Sequence, residues 1–250
     1  MRSAEEWELV TRWIAWGLND CQIARLTGIP RTTVRDWRHL GRQPGQLTYF
    51  RLSRADCPIC SSAHLDAEAY SYLFGLYLGD GYISSHRRGV YKLRIFLDDR
   101  YPNIIKEAGD AIRGVRPHSS MSVMHVSLIG CTEVCAYWKH WPCLFPQHGP
   151  GMKHLRRIRL ESWQEEKIRE HPEQFLRGLI HSDGYRGLNW VNGKGYPRYQ
   201  FTNHSDDIRG LFCWACDLLE LPWRRMNRYN ISVARRAAVA RMDEFIGPKT

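Results

Sequence analysis

At 250 residues the chain is long enough for more than one compact domain, and 43% hydrophobic residues with 10 Trp and 12 Tyr exclude wholesale disorder. Lys and Arg outnumber Asp and Glu by 36 to 26, a formal charge of +10 that predicts a polyanionic partner, most simply nucleic acid. No apolar run approaches the ~20 residues of a bilayer span.

The start, MRSAEEWELV, is acidic and amphipathic and does not read as a signal peptide, so no membrane partner is expected. The eight cysteines are accordingly expected as reduced thiols in a bacterial cytoplasm. Residues 1–40 read as a small all-α unit. Glu5 to Trp16 sets Leu9, Trp13 and Trp16 at helical spacing, and Gly17 ends the helix. Asn19 or Asp20 caps a second helix, Cys21 to Thr27, with Ile23, Ala24 and Leu26 inward. After the turn Gly28-Ile29-Pro30, a third helix runs from Arg31 to Arg38 and is closed by Val34 and Trp37. The string GLNDCQIARLTGIPRTTVRDW resembles the helix-turn-helix of homeodomain-like regulators, transposases and recombinases. The resemblance implies that the third helix enters the DNA major groove, offering Arg31, Thr32, Thr33, Arg35 and Arg38 to bases and phosphates. A plain three-helix bundle with solvated arginines is the alternative.

Residues 41–64 read as a linker, since Gly41 to Asp56 has Gly and Pro but little periodicity. At its end Cys57-Pro58-Ile59-Cys60 is either half of a zinc knuckle or a turn with two ordinary thiols. Structural zinc needs four ligands, and only the distant Cys143 and His148 offer themselves, with nothing in the sequence to select them.

The rest of the chain contains an internal repeat. Ser71 to Tyr82 reads SYLFGLYLGDGY, and Phe175 to Tyr185 reads FLRGLIHSDGY. Each segment follows a helix-start signal, Asp66 or Pro172-Glu173, and each ends in Asp-Gly. Alternating strands follow, Lys92 to Phe96 and Arg198 to Thr202. Next come amphipathic helices carrying Ile104, Ala108 and Ala111, or Ile208, Phe212 and Ala215. Met124 to Leu128 is matched to Tyr229 to Val233, and closing helices are expected at Thr132–Trp141 and Arg235–Phe245. The order is helix, two strands, helix, two strands, helix, twice over, and chance does not set four elements in register across two halves.

Gly75 and Gly79 in one motif helix, with Gly178 and Ser182 in the other, are small residues four apart and permit close helix approach. Such packing brings Asp80 and Asp183 together at two helix C-termini, where their mutual repulsion favours a divalent cation. Oxygen-only ligation favours Mg²⁺, with Mn²⁺ as its substitute. In the strands, Leu93, Ile95, Tyr199 and Phe201 face the core. Lys92, Arg94, His125, Ser127, Arg198, Gln200, Asn230 and Ser232 are expected on an outer face that suits a DNA groove.

From Leu65 to Ile246 these twin motifs and the repeated strand pattern resemble the LAGLIDADG homing endonucleases in their single-chain form. The resemblance implies an α+β, pseudo-twofold duplicated αββαββα fold, with halves at 65–146 and 169–250 joined by a basic linker at 147–168. It also implies a monomer that cuts both strands of a long, asymmetric double-stranded DNA site. Asp80 and Asp183 would hold the catalytic metals, with backbone carbonyls of Gly79 and Ser182 alongside. A lysine often supports this centre. Lys153 in HGPGMKHLRRIRL is the candidate, either beside the scissile phosphate or in a solvated linker, and no counterpart is clear after the second half. The alternative function is a non-cutting transcriptional regulator on the same scaffold. Regulators of that kind resemble this architecture but lack the metal acids and carry the helix-turn-helix after the nuclease-like domain.

Overall fold

The computed structural model describes residues 2–40, 57–117, 121–126 and 130–250, and the backbone alone of residues 40, 125 and 126. The chain divides into two compact units, Met1–Asp56 and Cys57–Thr250. In the first, α1 (Ala4–Ala15), α2 (Asp20–Thr27) and α3 (Arg31–Leu40) enclose a small core of Val10, Ile23, Ile29 and Val34. Ser3 with Glu6 and Asn19 with Gln22 form capping boxes at the first two helices, satisfying N–H groups that would otherwise lack partners. Gly28 ends α2 in the left-handed region at φ 69°. The buried faces are rotated from the sequence reading. Val10 is buried rather than Leu9, while Trp16 and Leu26 are 69% and 63% exposed. The expected linker falls partly outside the described residues (41–56), and Cys57 onward already belongs to the second unit.

The second unit begins with a one-turn helix, α4 (Pro58–Ser61), followed by α5 (Ala67–Asp80), which carries the first repeated motif. Asp66 caps α5 by accepting from the Ala69 N–H. Strands β1 (Gly81–His86) and β2 (Val90–Asp98), helix α6 (Pro102–Val115), and strands β3 (Met121–Val126) and β4 (Cys131–Trp138) complete the first half. The short α7 (Trp141–Leu144) follows, and α8 (Ser162–Glu170) begins within the segment read as a basic linker and runs two residues past it. The second half repeats the plan with α9 (Pro172–Asp183), β5 (Gly184–Val191), β6 (Lys194–Thr202), α10 (Asp206–Leu218), β7 (Arg224–Arg225), β8 (Asn230–Val233) and α11 (Arg236–Ile246).

Among the described residues there are two four-stranded antiparallel sheets, ordered β1-β2-β4-β3 and β5-β6-β8-β7. Their registers superimpose the halves. Gly81 pairs with Ile95 as Gly184 pairs with Phe201, and Leu93 pairs with Ala136 as Tyr199 pairs with Val233. By this register β4 is the counterpart of β8, and β3 of β7. Two expectations are thereby corrected. Cys131–Trp138 is a strand, not a helix, because its burial is nearly continuous and it lies between two partners, β2 and β3. Tyr229 to Val233 therefore matches Thr132 to Ala136 rather than Met124 to Leu128.

Helix α5 is buried on all sides from Tyr70 to Leu78, which explains its apolar circumference. Its contact with α9 is backbone to backbone. A Cβ on Gly75 would stand 2.5 Å from the Phe175 carbonyl oxygen, and one on Gly178 would stand 2.3 Å from that of Tyr72. Neither site has room for a methyl group. Gly178→Ala should therefore cost about 3 kcal/mol or more through enforced helix separation. Gly210→Ala, at an exposed α10 position with nothing within 4 Å of its Cβ, should instead stabilise by about 0.5–1 kcal/mol. Urea denaturation of both variants checks the pair, and similar effects at the two positions would contradict the packing account.

Candidate metal and nucleic-acid site

Close packing of α5 on α9 sets the ends of both motifs side by side. A Cβ on Gly79 would lie 2.3 Å from Ser182 Oγ and 3.1 Å from Asp183 Cγ, so the two terminal aspartates converge. Burial and then the Asp183 charge push the Asp80 carboxyl up to about 7. Burial also raises Asp183, opposed by a 2.6 Å hydrogen bond donated by Asn203 Nδ2. The register puts Leu97 at the equivalent of Asn203 in the first half, so the two carboxylates are not equivalent.

Lys153 is at this site rather than in solvent. It stands on a 3-10 turn, Lys153–Leu155, and its Nζ donates to the carbonyls of Gly79 and Gly81 at 2.8 Å each and of Tyr77 at 2.5 Å. Burial lowers its ammonium to about 8, against the pull of both aspartates. The counterpart that the sequence reading lacks is Lys249, which donates to the carbonyls of Ser182 (3.4 Å) and Gly184 (2.5 Å). Its pKa is lowered, first by burial. Each lysine thus neutralises the negative end of one motif helix. The signal that could have found Lys249 is short: Gly247-Pro248-Lys249 echoes Gly149-Pro150-Gly151-Met152-Lys153. Thr250 secures that segment by accepting, at its carbonyl, from the Asn103 N–H at 2.9 Å.

His181, at the motif position before Ser182, is 4% exposed and bridges Tyr72 Oη (2.9 Å) to the Ile246 carbonyl (3.0 Å). Burial pushes it down to about 3, so it is neutral and ties α11 to the motif pair.

On the first sheet, Lys92 and Arg94 share one face with Glu133, at 2.6 and 2.8 Å. Glu133 is 3% exposed, and hydrogen bonding from Arg94 first holds its carboxyl down at about 2. Both cations are therefore partly neutralised within the chain. Ser127 lies outside the described residues, as does the side chain of His125; the register instead puts Ser122 and Met124 opposite Cys135 and Glu133. On the second sheet Gln200 pairs with Ser232, and Thr202 with Asn230, whose Oδ1 accepts from Thr202 at 2.6 Å. Arg198 and Ser232 line an open hollow of about 720 Å³ together with Arg224, Arg225 and Arg235, three arginines that the sequence reading did not single out. In the N-terminal unit, Arg31, Thr32 and Arg35 are exposed and Thr33 half-buried. Arg38 turns inward, donating to Asp20 at 2.7 Å and to the Leu18 carbonyl at 2.6 Å, so it braces α3 rather than extending from it.

No family model and no curated protein matches the sequence. Among solved structures, the homing endonuclease I-DmoI in complex with DNA and Mn superposes with a TM-score of 0.50 at 14% identity, over 74% of this chain and 99% of that one. Full-length WhiA from Thermatoga maritima gives 0.48 at 12% identity over 72% and 55% of the two chains. The LAGLIDADG meganuclease I-AabMI bound to uncleaved DNA gives 0.44 at 11% over 70% and 82%.

Because Asp80 titrates near 7 in the folded chain against an ordinary 3.8, its protonation favours folding below that range. That contribution is lost as pH rises through about 7. Metal-free protein should therefore melt at progressively lower temperature from pH 5 to about 7, where the Lys153 ammonium is still mostly protonated. Asp80→Asn should flatten this slope, and thermal melts across the window check it; an unchanged slope would mean another group is responsible. The register of its sheets and the backbone contact of its motif helices, with the I-DmoI superposition, give this chain the LAGLIDADG fold.

Proposed function

We propose that the chain is a site-specific endonuclease that hydrolyses both strands of a long, asymmetric double-stranded DNA site with divalent metal. The observation that carries the reading is the convergence of Asp80 and Asp183, each at the end of a motif helix whose carbonyls are held by a buried lysine. An all-oxygen donor set of two half-buried carboxylates fits Mg²⁺ or Mn²⁺, and the rise that burial imposes on both is one that a bound cation would offset. When bound, such ions supply Lewis-acid activation of water and charge neutralisation at the phosphate.

The chain's own residues prepare that site. Asp80 and Asp183 hold the ions as carboxylates, and Asn203 fixes the rotamer of Asp183. The carbonyls of Gly79 and Ser182, which accept from Lys153 at 2.8 Å and Lys249 at 3.4 Å, would stand alongside the ions. Lys153 and Lys249 hold the carbonyls on either side of each aspartate, Gly79 and Gly81 in one half and Ser182 and Gly184 in the other, and bring positive charge to the end of each motif helix. The outer sheet faces, with Lys92 and Arg94 on one half and Arg198, Gln200 and Asn230 on the other, offer cations and amides to the duplex, while Ser232, expected beside them, is 5% exposed and withdrawn from it. In the N-terminal unit, Arg31, Thr32, Thr33 and Arg35 are offered by α3 for further DNA contacts. Both halves lie in one polypeptide, so a monomer suffices.

Cleavage of a randomised DNA library, with Mg²⁺, with Mn²⁺ or with no divalent ion, tests this directly. Defined double-strand cuts should require the ion and fall about 100-fold or more in Asp80→Asn and Asp183→Asn. Binding without cutting under every condition would replace this reading with that of a DNA-binding regulator.

Glu133 yields a second expectation. Glu133→Gln removes the anion shared by Lys92 and Arg94. Non-specific DNA binding, followed by anisotropy against salt, should tighten, and the log–log slope should steepen by about 1–2. An unchanged slope would remove this face from the interface.

A further inference from the structure

Away from the aspartates, two one-turn helices bring four metal-ligand side chains together. Cys57 immediately precedes α4 and Cys60 lies within it, just as His140 immediately precedes α7 and Cys143 lies within it. Both segments have a Pro in the first turn, CPIC and HWPC, and both turns present side chains three residues apart to the same point. Cys60 Sγ lies 3.5 Å from Cys143 Sγ and 3.5 Å from His140 Nδ1, while Cys143 Sγ lies 3.7 Å from the same nitrogen. Including Cys57 Sγ, all four ligand atoms fall within 4.8 Å of one another.

These separations have a chemical meaning. In a tetrahedron with Zn–S near ~2.3 Å and Zn–N near ~2.0 Å, ligand atoms stand about 3.5–3.8 Å apart. A disulfide would need the sulfurs at about 2.05 Å, well short of the 3.5 Å seen between Cys60 and Cys143. The Cys60 N–H donates to Cys57 Sγ at 3.4 Å, which supports a sulfur acting as an acceptor. His148, the distant ligand that the sequence offered, is elsewhere: its Nδ1 meets the Phe145 carbonyl at 3.2 Å and its ring meets Tyr91. His140 takes that place.

We propose that Cys57, Cys60, His140 and Cys143 bind one structural zinc ion. Three soft thiolates and an imidazole suit zinc over the hard cations proposed at the aspartates. Four protein ligands complete a tetrahedron and leave no position for a substrate, so the ion staples rather than catalyses. What it staples is definite. Residues 57–60 enter the second unit, and the α7 turn lies directly under α5. There Trp141, Leu144 and Phe145 are buried, Tyr70 Oη donates to the Leu144 carbonyl at 2.7 Å, and the Phe145 ring packs against that of Tyr77, tilted by 51° with centroids 4.6 Å apart. The zinc site therefore supports the motif helix from the side opposite α9.

The full chain, purified under reducing conditions without chelator, should carry about one zinc per chain by elemental analysis. Cys60→Ser and His140→Ala should lose most of it, and Cys213→Ser should keep it. Cobalt added to the metal-free wild type should give the visible bands of a tetrahedral ion and thiolate-to-cobalt charge transfer in the near ultraviolet. That spectrum needs no variant to fold. Wild type that carries no zinc, takes up none, and shows no cobalt–thiolate bands would overturn the proposal; so would full zinc content in Cys60→Ser. Neither result depends on DNA cleavage, so the zinc site and the endonuclease reading fail separately.

Discussion

The backbone contact between α5 and α9 sets the rest of the molecule. With Gly75 against Phe175 and Gly178 against Tyr72, the helix axes come closer than side chains would permit, and no rotation of one on the other is left free. Both helices must then end at the same level, which is why Asp80 and Asp183 meet. Each helix also delivers its following strand, β1 or β5, from a fixed point, so the two sheets begin at matching positions. A single close approach thus positions the candidate chemistry and the candidate binding surface together.

Within that near-symmetry the halves differ in ways that matter chemically. Asn203 donates to Asp183 and opposes its rise, whereas Leu97 occupies the matching register position in the first half, and burial with the Asp183 charge pushes the Asp80 carboxyl up to about 7. Glu133 binds the two cations of the first sheet, while its register equivalent, Asn230, leaves the arginines of the second sheet unneutralised by that position. The second sheet face is therefore the more cationic. An asymmetric protein surface of this kind suits an asymmetric duplex, because each half then meets a different sequence of groove edges.

The two lysines show how a fold can repeat a function without repeating a sequence. Lys153 comes after a short helix and a Gly-rich turn, and Lys249 after the longer α11. The intervening lengths differ, yet each ammonium reaches the same pair of carbonyls relative to its aspartate. Electrostatics explains the convergence: the exposed carbonyls at a helix C-terminus are negative, and a buried cation is the simplest group to satisfy them.

Local patterns in the chain carried much of this. The repeat, the small residues four apart, the alternating strands and the terminal aspartates all depend on neighbours within a few residues, so they were readable directly, and with them the fold class and the central pair. The errors arose where context outweighs pattern. Thr132–Trp141 reads as a closing helix, and only the two strand partners of Cys131–Trp138 show that this segment is a strand covered on both edges. Lys249, Asn203, Glu133 and His140 were hidden because each acts on residues 20 or more positions away. Sequence by itself determined the twin motif helices and the carboxylates they end on, since helix periodicity and caps are local. Only the tertiary structure decided which cations, amides and thiols gather around them, because those contacts are set by how the helices pack rather than by spacing along the chain.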